Sequence, residues 1–189
     1  MHGTTDICSI NDQTLTDDQV EFISSNLPFT VTSLSLSGTE LMETGVNYLA
    51  TNLLLRSNSN QLKFKSLSLY NTKLTDEGVR LLCRALIDGQ NIKLRHLNIS
   101  LNGQITEVGA RAIAQMLEVN EGLEVLDMSY TSIGRQGILE LYQALARKKN
   151  VVLKCLDISG NLTSEERTNN RELSELLERV SERVNVLNY

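Results

Sequence analysis

The sequence predicts an α/β repeat protein in which strand, turn and helix units stack side by side, and three observations predict it. Leu34-x-Leu36, Leu67-x-Leu69, Leu97-x-Ile99 and Leu126-x-Met128 recur along 189 residues. Each pair leads into a glycine, Gly45, Gly78, Gly109 or Gly137, after which apolar residues fall at offsets +1, +4, +5 and +8. The unit starts Val31, Phe64, Leu94, Leu123 and Leu153 follow one another at an almost even spacing. The leucine pairs have the period of a strand, and the offsets after the glycine mark one face of a helix. A unit this small cannot bury its apolar face alone, so neighbours must stack over a shared interior.

The elements follow in order. An opening unit reads Cys8-x-Ile10, Leu15, Gln19 in the glycine position, Val20, Ile23 and Leu27. Thr16 to Gln19 supplies a capping box for its helix, the threonine oxygen accepting from one end and the glutamine reaching back. The next helices carry Val46, Leu49, Ala50 and Leu53; Val79, Leu82, Cys83 and Leu86; Ala110, Ile113, Ala114 and Leu117; Ile138, Leu141, Tyr142 and Leu145. Thr163 to Glu166 repeats the capping signal and opens a helix with a stripe of Leu173, Leu176, Leu177, Val180 and Val184, on which Glu175 and Arg179 are spaced to pair. This charged segment, 163–189, is expected to cap the last repeat. Val184-Asn185-Val186, about one repeat length after Leu156-Asp157-Ile158, predicts a short final strand. The polar stretch from Leu55 to Gln61 enlarges one unit and is the expected flexible loop. The whole of 1–189 reads as a single domain with repeats from about 7, 31, 64, 94, 123 and 153. Its abrupt start and stop suggest a monomer or part of a larger chain.

Composition narrows the function. With 41% hydrophobic and 22% charged residues the chain can bury a core, and a net charge of −5 argues against a general attraction to nucleic acid or anionic lipid. No apolar run is long enough to span a membrane, and the start lacks a secretory signal, so a cytoplasmic location is expected. Cys8, Cys83 and Cys155 form no metal-like cluster and read as free thiols, Cys155 being the one to meet solvent. The sequons at Asn98 and Asn161 fall inside the strand-and-turn pattern and read as coincidence. His2 and His96 stand without a nucleophile motif, and no phosphate-binding or dinucleotide fingerprint occurs. No enzyme activity, cofactor or metal is expected.

The L-x-x-L-x-L pattern, with its glycine and the A-x-x-L near the helix end, resembles the leucine-rich repeat family, in its long ribonuclease-inhibitor-type subclass, over roughly residues 7 to 162. The resemblance implies a right-handed horseshoe segment with a parallel sheet on the concave face and helices on the convex face. It also implies a turn asparagine where this chain has Thr39, Thr72, Asn102, Thr131 and Asn161; threonine hydroxyls can make part of that network. Residues 112–120 and 137–141 are similar to helices of the tropomodulin family, which implies actin pointed-end capping as one alternative. Regulation of a small GTPase is another, since Ran GTPase-activating proteins share this repeat subclass.

The leading expectation is a non-enzymatic module that presents a concave or rim surface to a protein partner. Residues between and beside the strand leucines face the concave side. One column reads Ser9, Ser35, Ser68, Asn98, Asp127, Asp157 and Asn185, the next Asn11, Ser37, Tyr70, Ser100, Ser129 and Ser159. Asp127 and Asp157, on neighbouring strands, suggest either a shared cation or a ladder in which Asn98 donates to Asp127. Turn residues Glu40, Lys73, Leu101, Gln104 and Tyr130 mark the rim where strands end, and Leu101 with Tyr70 and Tyr130 would form an apolar-aromatic patch. The opposite rim carries Lys63, Lys65, Lys93, Arg95 and Lys154, near Arg147-Lys148-Lys149, a basic strip open to an acidic partner. His96, on its strand, completes the candidate set.

Overall fold

The computed structural model describes residues 6–54, 63–88, 93–148, 151–163, 166 and 171–187. Its elements alternate: β1 (Asp6–Ser9), α1 (Asp17–Asn26), β2 (Val31–Ser35), α2 (Glu43–Tyr48), β3 (Ser66–Ser68), α3 (Asp76–Asp88), β4 (His96–Asn98), α4 (Glu107–Val119), β5 (Val125–Asp127), α5 (Gly134–Arg147), β6 (Cys155–Asp157), α6 (Arg171–Ser181) and β7 (Asn185–Leu187). The strands form one parallel sheet in sequence order. Cys8, Leu34, Leu67, Leu97, Leu126, Leu156 and Val186 stand in one register row. The second residue of each pair, just past its strand, stays in the ladder: Leu69 N donates to Asn98 O (2.8 Å) and Ile99 N to Asp127 O (2.8 Å). The leucine rows and the apolar helix faces are buried together as one core. At about 1.5–3 kcal/mol for each large side chain removed from water, this burial is the main force closing the stack.

The glycine column is explained by packing. A Cβ at Gly109 would lie 2.6 Å from Asp76 Oδ1, and one at Gly137 would lie 2.8 Å from the Ala110 Cβ. At these two positions the helix start is pressed against the preceding unit, and an added methyl group forces a shift. No described unit lies on the outer side of α1, and there the position is Gln19, which completes the capping box with Thr16 (2.9 and 3.3 Å).

Turn chemistry divides the units. Thr39, Thr72 and Thr131 hydroxyls each donate to the carbonyl three residues back, closing their own turns. Asn102 does more: its amide nitrogen donates to Leu69 O and Ile99 O (both 2.8 Å), while its oxygen accepts from Thr72 N and Leu74 N (both 2.9 Å). Asn161 likewise bridges Met128 O and Ile158 O. Threonine therefore satisfies a turn, whereas asparagine also ties it to the unit before. Asn161 is buried in this role.

Three expectations change. After α2 the chain continues as a π-helical turn, Leu49–Leu54, so the second unit's helix is not uniformly α. Val184 lies beyond α6 and is buried just before β7, so it is not on the helical stripe. Glu175 pairs with Arg171 (2.6 Å), not Arg179. The loop 55–61 lies outside the described residues. The capping box that opens the C-terminal segment is present, with Thr163 N and Oγ1 donating to Glu166 Oε2 (both 2.9 Å) and Glu166 N to Thr163 Oγ1 (3.3 Å).

Candidate protein-docking surface

Side chains on the open face of the sheet fall into columns set by the register. One reads Ile7, Ser33, Ser66, His96, Val125, Cys155 and Asn185, the next Ser9, Ser35, Ser68, Asn98, Asp127, Asp157 and Leu187. Asn185 therefore pairs with Cys155, and Leu187 ends the acidic column in its place: β7 is two residues out of step with the sequence alignment. Hydroxyls cross-link the floor at the N-terminal end, Ser35 Oγ meeting Asn11 Oδ1 (2.8 Å) and Ser37 Oγ meeting Ser68 Oγ (3.0 Å).

Asp127 and Asp157 do sit side by side, but not in the expected ladder. Asp127 Oδ1 accepts from the backbone N (3.0 Å) and Oγ (2.7 Å) of Ser129, and Asp157 Oδ1 from Ser159 N (2.9 Å). Asn98 uses its oxygen in the same way on Ser100 (2.9 and 2.7 Å), and no hydrogen bond joins Asn98 to Asp127 among the described residues. Each strand's own serine satisfies its acid because the chain turns two residues later. Among the described residues neither acid joins an ion pair. Their effect reaches the neighbouring thiol: burial, then the Asp157 and Asp127 charges, push Cys155 upward. The Cys83 thiol, within the core, is pushed by burial alone to about 12.

The rim beyond the strands holds an unforeseen regularity. Asp12, Gly38, Asn71, Leu101, Tyr130 and Gly160 occupy one position in six successive units, and every one has φ between 52° and 74°. Asp, Asn and Gly are the residues that tolerate this left-handed region; a leucine or tyrosine there costs about 1–2 kcal/mol. Leu101 (41% exposed) and Tyr130 (59%) accept that cost while leaving their side chains in solvent. Tyr70 (40%) stands one unit earlier, at the level of Ser100. The three thus step across neighbouring strands about 4.8 Å apart. The Tyr130 ring leans over Gly160, where a Cβ would meet it at 2.5 Å. Lys73 also has a positive φ and pairs with Glu40. His96 is exposed on the floor, away from this rim and next to Val125.

The basic strip at the strand starts is answered within the chain in part: among the described residues Arg95 and Lys154 join ion pairs, whereas Lys63, Lys65 and Lys93 join none. Glu124, overlooked between Arg95 and Lys154, pairs with both (3.5 and 2.5 Å). The Lys154 hydrogen bond and the two cations hold its carboxyl below the usual range. Arg147 closes α5 and reaches Glu118 (3.4 Å), and Lys148 Nζ donates to Leu117 O (2.9 Å) and Asn120 O. Lys149 lies outside the described residues.

Two further features escaped the sequence reading. Asp76 clasps the start of the next helix, accepting from Thr106 N, Thr106 Oγ1 and Gly109 N (2.8, 2.7 and 2.8 Å). Its signal was the acidic residue two places before the repeat glycine in three units, Glu43, Asp76 and Glu107. A groove of about 440 Å³ also opens where α1, α2 and α3 begin, lined by Asp17, Glu40, Met42, Glu43 and Lys73 among others.

Comparison with known proteins agrees with this architecture. A family model described as Leucine Rich repeat matches residues 90–114. Over 83 residues the chain is 37% identical to the ribonuclease inhibitor of Sus scrofa, a stretch that covers 44% of this chain and 18% of that protein. The chain therefore aligns with about a fifth of the curated relative's length. The solved structure of Leiomodin-1 Actin-Binding Site 2 (ABS2) superposes with a TM-score of 0.57 at 20% identity, covering 72% of this chain and 76% of the other, a likeness of fold alone. With its leucines in one register and its seven described strands parallel, the chain has the fold of a leucine-rich-repeat solenoid, similar over 83 residues to a ribonuclease inhibitor in sequence and to leiomodin in fold.

Proposed function

We propose that the chain is a non-enzymatic protein-interaction module whose strand-exit rim, Tyr70, Leu101 and Tyr130, docks a protein partner, with the polar floor of His96, Asp127 and Asp157 setting specificity. One observation carries the reading. Leu101 and Tyr130 hold a left-handed backbone that other units fill with Asp, Asn or Gly, yet leave 41% and 59% of their surface exposed. Backbone strain at residues that stay on the surface is consistent with selection for display, and apolar-aromatic side chains are the usual anchors of interfaces. Polar groups that the chain satisfies internally, such as Asp127, orient partners more than they attract them.

The test is affinity capture with quantitative mass spectrometry, comparing the wild type with Tyr70→Ala/Tyr130→Ala. Partners held by the rim are lost from the double variant, and equal recovery by both sinks the reading. The leiomodin likeness makes actin the first defined partner to assay, by pointed-end elongation with and without the chain; unchanged elongation removes it. A small-GTPase regulator is the remaining alternative, and unaccelerated GTP hydrolysis across a panel removes that one.

A further inference from the structure

We propose that the groove where α1, α2 and α3 begin docks a cationic segment of a protein partner, a lysine or arginine side chain flanked by an apolar residue. This rests on the strand-exit rim being the docking side, which the groove continues, but not on the aromatic residues of that rim. The sequence ahead of Arg56 holds Asp6, Asp12, Asp17, Asp18, Glu21, Glu40 and Glu43 and no lysine or arginine; every lysine and arginine lies from Arg56 onward. The solenoid therefore has one acidic pole. Among the described residues the ion pairs reach only Glu40 of these seven, through Lys73. Asp17 and Glu43 line the groove beside Lys73, whose ion pair goes to Glu40, and join no ion pair among the described residues; Glu43 accepts one long bond from Thr75 Oγ1 (3.5 Å).

The field of this pole reaches its neighbours. The Tyr48 hydroxyl is pushed up from its ordinary range first by the Glu21 charge, then by burial, by its hydrogen bond to Glu21 and by Asp18 and Asp17.

The groove also offers apolar contact. Met42 projects with 69% of its surface exposed, above a floor that includes the buried Leu41, Val46 and Leu74. Carboxylates around an apolar slot match an alkyl stem that ends in a cation, which can bury its methylenes on Met42 and present its charge to Asp17 and Glu43. A second copy of the chain fits less well, because a two-fold contact between such poles would set carboxylates against carboxylates.

Fluorescence anisotropy with a labelled peptide of alternating lysine and leucine tests this against two control peptides, glutamate-leucine and lysine-serine. The lysine-leucine probe is expected to bind the intact chain, with Glu43→Lys weakening it about tenfold or more and Met42→Ser several-fold. Glu182→Lys, an equal charge change at the far end, should leave affinity unchanged. Circular dichroism melts confirm that each variant is folded. Absent binding, equal binding of the lysine-serine probe, or equal losses from Glu182→Lys and Glu43→Lys would overturn the groove as the site. Loss through Tyr130→Ala with Glu43→Lys intact would overturn it too, while sparing the aromatic rim. Sedimentation showing dimers that Glu43→Lys dissolves would assign the groove to self-association and overturn the proposal.

Discussion

Units four and five and units one and two are built on the same apolar template but edged with different chemistry. Between α4 and α5, Arg111 grips Glu140 through both carboxylate oxygens (3.0 Å) and Arg147 meets Glu118. Between units one and two the described residues form no ion pair, and the polar links are Asn52 to Ser25 (3.1 Å), Ser35 to Asn11 (2.8 Å), Thr32 to Asp6 O (3.3 Å) and the Tyr48 hydroxyl to Glu21. Exposed ion pairs add only about 0.2–1 kcal/mol each, so the contrast affects stability less than it affects what each half shows a partner. One half uses its cations on itself. The other has no lysine or arginine ahead of Arg56 to set against its carboxylates.

Stability differences should instead follow the buried turn residues and the helix starts. Asn102→Ala would strand two carbonyls and two amides in the core of the turn, and a loss of about 4 kcal/mol in urea unfolding is expected. Thr39→Ala, in the N-terminal half, removes one hydroxyl that serves only its own turn and should cost about 1 kcal/mol. Equal losses would break the distinction between a turn that ties units together and one that only closes itself.

Gly109→Ala follows in size, at about 2 kcal/mol, because the added methyl group meets Asp76 and Ile105 and must displace the clasp on α4. Gln19→Ala, at the same repeat position, meets no preceding helix and should cost under about 1 kcal/mol, the value of a capping contact. Leu101→Gly reverses the sign. Relief of the left-handed backbone should raise the unfolding free energy by about 0.5–1 kcal/mol, and a stability loss would show that the leucine packs after all.

The smallest effect is read as a rate. Cys83, pushed to about 12 in the core, should resist alkylation at pH 8 in the folded chain. Cys155 is raised by burial and by two carboxylate charges, so Asp157→Asn lowers its pKa, increases the thiolate fraction at that pH and speeds alkylation a few-fold without shifting the melting temperature. An unchanged rate would mean that burial alone sets this thiol.

Much of this architecture was legible in the chain. Even unit spacing, leucine pairs and helical offsets specified the stack, because periodicity records which face must leave water and needs no knowledge of the neighbours. The Thr16 and Thr163 capping boxes were equally visible, since both partners of each lie within one helical turn. Tyr70, Leu101 and Tyr130 could be placed on the rim by counting. The left-handed backbone of Leu101 and Tyr130 could not, because no residue type announces it when leucine and tyrosine stand where glycine or asparagine is expected.

The tertiary structure decided whatever depends on which unit lies alongside. The pairing of Leu187, not Asn185, with Asp157 reflects how α6 delivers the chain to β7, a geometry that alternation alone leaves two residues uncertain. Glu124 between Arg95 and Lys154 and Asp76 over Gly109 are choices among partners about one repeat length away, settled by where packing puts each backbone. Local pattern fixes an element's kind and its buried face; the neighbours it meets follow from close packing of the whole stack, which no single unit contains.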